Sequence, residues 1–121
     1  TGLWSNDDGF RTKIHEAGNA VGELAWPMPL LPAFEKEMTD SKIADTRNLG
    51  AGRWGGANTA AAFLKQFVPN RNYDEDGEQI TWAHMDIAGT YWGAKTNTMV
   101  GNGATGIHVR TMYHLITNWN N

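Results

Sequence analysis

The stretch Trp82-Ala83-His84-Met85-Asp86-Ile87-Ala88-Gly89-Thr90 decides the fold class of this chain. It carries the clearest strand, which we predict to cover residues 80–88. Because successive side chains of a strand point to opposite faces, the even-numbered residues share one face and the odd-numbered residues share the other. His84 and Asp86 therefore lie on the same face. They either form a buried, hydrogen-bonded pair or ligate a metal with help from elsewhere.

Helices are predicted on both sides of this strand, from apolar residues spaced three and four apart. Ser5 is expected to cap the first helix, with Asp8 completing a capping box. Pro32 suits the first turn of a short second helix. The apolar stripes of the third and fourth helices are Ala60, Phe63, Leu64, Phe67 and Val68, and Val109, Met112, Tyr113 and Ile116. Two polar connections, residues 70–79 and 93–106, are predicted to be loops.

This alternation of helices and strands favours an α/β fold, layered as helix/sheet/helix around a partial mixed sheet. Residues 43–49 are ambiguous between strand and loop. The prolines that follow Trp26 force an extended backbone, which predicts only a weak strand there. Two or three strands barely cover four helices, so we expect this sheet to be part of a larger one.

Composition restricts the possible functions. The chain has 121 residues, 40% of them hydrophobic, and six tryptophans, which favours one folded domain over a disordered chain. The net charge of −3 and the scattered basic residues give no reason to expect a nucleic-acid partner. Cysteine is absent, which excludes disulfides and thiolate metal sites and is compatible with the cytoplasm. No apolar run approaches the ~20 residues of a membrane span.

The segment Gly50-Ala51-Gly52-Arg53-Trp54-Gly55 matches the G-x-G-x-x-G pattern of dinucleotide-binding turns. That pattern needs a preceding strand and, about 20 residues later, an acidic residue that ends a strand. Asp74 and Asp76 are near that distance, but both lie in a predicted loop. We therefore favour a tight, glycine-permitted turn before the third helix, with a small nucleotide-binding protein as an alternative.

The order and spacing of five segments point to one family. The segments are Trp26-Pro27-Met28-Pro29-Leu30, Asp45-Thr46-Arg47-Asn48-Leu49-Gly50, Asn58-Thr59-Ala60-Ala61-Ala62-Phe63-Leu64, the stretch at 82–90, and Gly103-Ala104-Thr105-Gly106 followed by Arg110-Thr111. Together they resemble the C-terminal part of the catalytic domain of the cytosolic leucyl aminopeptidases, over nearly the whole chain. The connection at 70–79 is longer than the usual family link, and residues 95–102 depart from the family pattern.

The resemblance implies a hexameric, cytoplasmic exopeptidase that hydrolyses peptides with two divalent metal ions, zinc or manganese. In that family the metal-binding carboxylates and lysine lie N-terminal to the point where this sequence begins. The family hallmark Asn-Thr-Asp-Ala-Glu-Gly-Arg is absent here. We therefore expect residues 1–121 to be the C-terminal portion of the catalytic domain, with no catalytic residues or metal ligands of its own. The start at Thr1 instead of methionine points the same way.

By the same resemblance, Leu49, Ala88 and Tyr91 line the pocket for the N-terminal side chain of the substrate. Ligands of α/β sheets gather at the carboxyl ends of strands, and Leu49 and Ala88 each end a strand-like segment. The small Ala88 leaves room, Leu49 offers an apolar wall for a leucine-like side chain, and Tyr91 narrows the pocket. The alternative for each residue is ordinary core packing.

Two further expectations concern what this chain does. The first is a fragment of a metal-dependent leucyl aminopeptidase that is inactive alone and whose partners are peptide substrates and further copies of the enzyme. The second is a non-catalytic binding or assembly module derived from the same fold. In that case an exposed sheet edge and an apolar face pair with another chain.

Overall fold

A computed structural model describes residues 1–71, 76–93 and 102–120 of the chain, and parts of both predicted polar loops lie outside these ranges. The predicted α/β fold is confirmed. In chain order the elements of the described residues are β1 (Gly2–Ser5), α1 (Asp8–Ala20), β2 (Trp26–Pro27), α2 (Pro32–Thr39), α3 (Gly56–Lys65), β3 (Ala83–Asp86) and α4 (Val109–Thr117). Among these residues, no helix is both long and apolar enough to span a membrane.

The sheet is mixed, and its central strand was not predicted. The strand order is β2-β1-β3, with β2 parallel and β3 antiparallel to β1. The sequence Gly2-Leu3-Trp4-Ser5 shows no alternation of apolar and polar residues, because β1 is covered on both faces and three of its four residues are buried. A strand this short and buried on both sides leaves no period-two pattern to detect.

Helices cover both faces of this sheet. Leu3 is fully buried and packs with Ile14 of α1 and with Ala25. The next residue, Trp4, points to the opposite face, where its indole Nε1 donates to Asn58 Oδ1 of α3 at 3.1 Å. Since α1 packs with α4 and α2 packs with α3, one helix pair lies on each face. The layered helix/sheet/helix arrangement is therefore confirmed.

β3 is shorter than the predicted strand, but its two faces are as expected. Met85 is paired with Leu3 of β1 and packs against the same core. His84 is paired with Trp4 and lies on the other face, with its ring 5.7 Å from the tryptophan ring. The strand ends at Asp86, two residues before the predicted end.

The predicted cap of α1 is wrong by two residues. Asp7 is the N-cap, and its Oδ1 accepts a hydrogen bond from Phe10 N at 2.6 Å. Ser5 belongs to β1 instead. Its hydroxyl donates to Trp82 O at 2.6 Å and accepts from Asp7 N at 3.0 Å. Ser5 therefore joins β1 to the start of β3, and the stronger acceptor at Asp7 begins the helix.

The end of α1 depends on a close backbone approach. Glu23 N donates to Gly18 O at 2.8 Å as the chain folds back after the helix. A Cβ atom added at Gly18 would lie 2.5 Å from Glu23 O. The glycine that lowers the helix propensity of this segment is therefore required by the turn that brings Glu23 under α4.

Three of the four residues in the apolar stripe predicted for α4 do not pack against the core of the described residues, and the fourth, Met112, is half-buried. Val109, Tyr113 and Ile116 are exposed, at 67%, 72% and 72% of their accessible surface. Thr111 is fully buried instead, and Leu115 packs against the core. α4 thus turns a polar residue inward because that residue has buried hydrogen-bond partners, and its apolar stripe faces away from the described residues.

The ambiguous stretch at 43–49 is not a strand. The hydroxyl of Ser41 accepts hydrogen bonds from the backbone amides of Ile43 and Ala44, at 3.3 and 3.2 Å. Arg47 N donates to Met38 O at 2.7 Å, which holds the stretch against the end of α2. The glycine-rich segment that follows leads into α3 through Gly55, whose φ of 75° favours a glycine. A dinucleotide-binding turn needs a strand before it, so this arrangement does not favour that alternative.

Candidate functional site

Two of the three predicted pocket residues lie in one turn at the carboxyl end of β3. Asp86 Oδ1 accepts a hydrogen bond from Ala88 N at 2.9 Å, and Ile87 O accepts from Tyr91 N at 3.0 Å. Ala88 is exposed, and half of the surface of Tyr91 is accessible. Neither residue is therefore packed in the core of the described residues. The turn presents a small and a large side chain at its surface.

Leu49 lies on a different segment, between α2 and α3. It is 76% exposed and lines an open groove together with Ile43 and Phe63. The structure thus brings Ala88 and Tyr91 together in one turn, while Leu49 belongs to a separate apolar groove. The assignment of these three residues to a substrate pocket stays a prediction.

His84 contacts two tryptophans. Its ring is stacked on Trp82, with ring centres 6.3 Å apart and planes at 9°, and it lies tilted against Trp4, with ring centres 5.7 Å apart. Burial lowers the pKa of His84, although the carboxylate of Asp86 opposes this effect. Asp86 uses its carboxylate to cap the turn at Ala88. Both residues of the candidate metal pair therefore have structural partners.

The described residues do not provide a metal centre. Among them, no three His, Asp or Glu side chains come close enough together to hold a metal ion. A two-metal site with hard oxygen ligands needs several carboxylates around one point. The donor groups of residues 1–71, 76–93 and 102–120 do not fit such a site.

A buried carboxylate joins α4 to the end of α1. Glu23 is 4% exposed, and its Oε2 accepts hydrogen bonds from Thr111 N at 2.9 Å and Thr111 Oγ1 at 2.8 Å. Its Oε1 accepts from Arg110 Nε at 3.1 Å. Burial alone raises the pKa of Glu23, but these hydrogen bonds and the positive charge of Arg110 outweigh it and lower the pKa. Glu23 is therefore a charged acceptor at neutral pH.

His108 continues this contact towards the pocket turn. Its Nδ1 lies 3.1 Å from Thr111 Oγ1, and its Nε2 lies 2.7 Å from Thr1 Oγ1. Thr1 Oγ1 in turn lies 2.8 Å from Thr90 Oγ1. Thr90 stands between Ala88 and Tyr91 in the chain, so a continuous row of hydrogen bonds connects the pocket turn to Glu23. We call these five residues the polar chain: Thr90, Thr1, His108, Thr111 and Glu23.

Sequence reasoning missed the polar chain entirely. Its hydrogen-bonded neighbours are up to 107 positions apart, and no local motif relates Thr1 to His108. His108 precedes α4 with a φ of 67°, a conformation that residues other than glycine adopt only at an energetic cost. The pattern around it gives no sign of that conformation, because a histidine before a helix is most simply interpreted as the first helical residue.

Comparison with known proteins gives a consistent result. The model of the cytosol aminopeptidase family, catalytic domain, matches residues 1–113. The chain is 47% identical to a probable cytosol aminopeptidase of Parasynechococcus marenigrum over 117 residues, and 44% identical to one of Afipia carboxidovorans over 115. These alignments cover 97% and 95% of this chain but only 22% and 21% of the relatives. The chain thus spans about a fifth of the length of the curated relatives it matches.

Proposed function

This chain belongs to the cytosol aminopeptidase family, and from that premise we propose that it is the C-terminal portion of a leucyl aminopeptidase catalytic domain. The whole enzyme removes N-terminal amino acids from peptides, assembles as a hexamer and works in the cytoplasm. The proposal is supported by a family match over residues 1–113 and by relatives named as probable cytosol aminopeptidases. The alignments cover almost all of this chain but only a small part of each relative.

We further propose that the enzyme uses two divalent metal ions, zinc or manganese, held by residues outside this chain. The chemistry that such ions supply is activation of a water molecule and polarisation of the scissile carbonyl group. Because the donor groups of the described residues do not fit a two-metal site, we assign no metal ligand to them. The catalytic residues are proposed to lie outside this chain as well. The isolated chain is expected to be inactive.

The contribution of this chain is a wall of the pocket for the N-terminal side chain of the substrate. The observation that carries this proposal is the turn after β3, where Ala88 and Tyr91 are exposed at the carboxyl end of a strand. Connecting segments that a sheet holds at the surface are where binding residues are most often found. Ala88 leaves space for a leucine-like side chain, and Tyr91 limits the width of that space. Leu49 lines a separate groove between α2 and α3, so its assignment to the same pocket rests on the family resemblance alone.

The experiment compares leucine amide and alanine amide as substrates of the longer enzyme. Ala88→Leu should lower kcat/KM for leucine amide relative to alanine amide by at least about tenfold, because the added side chain fills the pocket. Ala33→Leu, at an exposed position in the first turn of α2, is the matched control and should leave the ratio unchanged. An unchanged ratio for Ala88→Leu contradicts the pocket assignment.

The second candidate is a non-catalytic assembly module, and the outward stripe of α4 favours it. Val109, Tyr113 and Ile116 expose three large apolar side chains on one helix. Such a surface is typical of a protein–protein contact, whether within a larger domain or between chains. Sedimentation velocity of the 121-residue chain separates the two candidates. A stable oligomer of defined size that Tyr113→Lys dissociates favours the module, whereas a monomer favours the fragment of an enzyme.

A further inference from the structure

The direction of the polar chain is fixed at its buried end. Thr111 Oγ1 carries one proton, and it donates that proton to the charged carboxylate of Glu23 at 2.8 Å. The same oxygen lies 3.1 Å from His108 Nδ1. Since its only proton is already used, the Thr111 hydroxyl must accept from His108, and Nδ1 must carry a proton.

The other side of the imidazole then determines the remaining hydrogen bonds. A neutral ring with its proton on Nδ1 has a bare Nε2, which accepts from the Thr1 hydroxyl at 2.7 Å. Thr1 Oγ1, having donated its proton, accepts from Thr90 Oγ1 at 2.8 Å. Every hydroxyl proton of the polar chain therefore points from the pocket turn towards Glu23.

The neutral state of His108 has a physical basis. Burial in the polar chain lowers the pKa of His108, while the carboxylate of Glu23 opposes this effect. Arg110, on the first turn of α4, is bound to the same carboxylate and offsets part of its charge. A second proton would sit on Nε2 and require Thr1 to accept, so that Thr1 would donate to Thr90. The Thr90 hydroxyl would then turn to Ile87 O at 3.3 Å.

We propose that His108 is a positioning residue for the substrate pocket. As a neutral imidazole protonated on Nδ1, it holds the turn that carries Ala88 and Tyr91 by anchoring Thr90, through Thr1, to the buried Glu23. The inference rests on the proposed function for the identity of the pocket, but the hydrogen-bond direction stands independently of it.

The position of His108 in the backbone supports a role for its side chain. Its φ of 67° is favourable for glycine and costly for most other residues. A residue needed only to start α4 would be better placed here as glycine. The unfavourable backbone conformation is offset by the two hydrogen bonds of the ring, to Thr111 and to Thr1.

The tautomer is tested by nitrogen NMR on the ¹⁵N-labelled 121-residue chain near pH 7.5. Long-range proton–nitrogen spectra distinguish a bare from a protonated ring nitrogen, and His108→Gly identifies the signals of His108 among those of the four histidines. We expect a single tautomer with a bare Nε2. Thr111→Val, which removes the acceptor at Nδ1, should give a mixture of tautomers. A bare Nδ1, or rapid averaging of the two tautomers in the unmodified chain, overturns the inference.

The positioning role is tested by chemical rescue in the longer enzyme. His108→Gly keeps the backbone conformation but removes the ring, and it should raise KM for leucine amide about tenfold while changing kcat less. Added imidazole should reverse most of this loss. The matched probe 1-methylimidazole, which has no N–H to donate to Thr111, should not. Equal activity of His108→Gly with and without imidazole contradicts the positioning role. An inactive unmodified enzyme contradicts the proposed function instead, and the NMR result then decides the inference.

Discussion

Replacing Glu23 by glutamine isolates the contribution of a buried charge that anchors α4. The glutamine can keep its carbonyl oxygen towards both donor groups of Thr111. Each of these bonds then changes from a charged to a neutral acceptor, which lowers its contribution by about 1 kcal/mol. The contact with Arg110 adds less than about 1 kcal/mol because the arginine side chain is 49% exposed. We therefore expect Glu23→Gln to lower the free energy of unfolding by about 2–3 kcal/mol.

The matched control is Glu35→Gln. Glu35 forms an ion pair of 2.8 Å with Lys65, in which the two side chains are 27% and 20% exposed. The Glu35 carboxylate pairs across two helices with Lys65 alone among the charged groups described. Removing its charge should therefore lower the free energy of unfolding by only about 0–1 kcal/mol. Urea unfolding at pH 7, followed by tryptophan fluorescence, measures both variants.

The pH dependence gives a second measurement on the same variant. The pKa of Glu23 is lowered from its usual value of 4.5, so the unfolded chain binds the proton more tightly. The stabilisation by this group is complete above pH 4.5 and is lost as pH falls from there through the folded-state pKa. Glu23→Gln should remove this part of the acid destabilisation. Equal losses in the two glutamine variants at pH 7 would refute the reasoning.

Three other predictions follow from the fold. Gly18→Ala should lower the free energy of unfolding by about 1–3 kcal/mol because its Cβ would meet a backbone oxygen, whereas Gly56→Ala, in open space, should not lower it in the same urea titration. Asp7→Ala should cost about 1 kcal/mol through loss of the α1 cap, seen as a lower melting temperature by circular dichroism. The pKa of His84 is lowered by burial, so stability should fall as pH decreases below 6.5, and His84→Gln should reduce that slope.

The parts of the fold that follow from local patterns could be predicted. The opposite faces of β3 and the start of α2 at Pro32 both follow from residue spacing and backbone restriction. β1 could not be predicted, because a four-residue strand buried on both faces has no alternation. The prediction of which face of α4 packs against the core was wrong for a related reason. An apolar stripe identifies one face of a helix, but Thr111 is buried by its hydrogen bonds to a distant carboxylate.

The residues of the candidate site also differ in whether a local sequence pattern could predict them. Ala88 could be placed near a strand end because the strand itself is visible in the sequence, whereas Tyr91 was assigned to the pocket by the family resemblance. The polar chain could not be predicted, since it depends on contacts between residues at the two ends of the chain and on the left-handed backbone of His108. The histidines have no obvious partners close by in the sequence, so the sequence does not indicate which of them is buried.

The position of β1 at the centre of the sheet has a consequence for how the chain folds during synthesis. β1 leaves the ribosome before both of its partner strands, and its antiparallel partner β3 follows roughly 80 residues later. At about 5–20 residues per second, β1 waits on the order of ten seconds with one edge unpaired. A high contact order of this kind also slows refolding of the complete chain. We therefore expect the nascent polypeptide, with its exposed strand edge, to be a target for chaperones until β3 emerges.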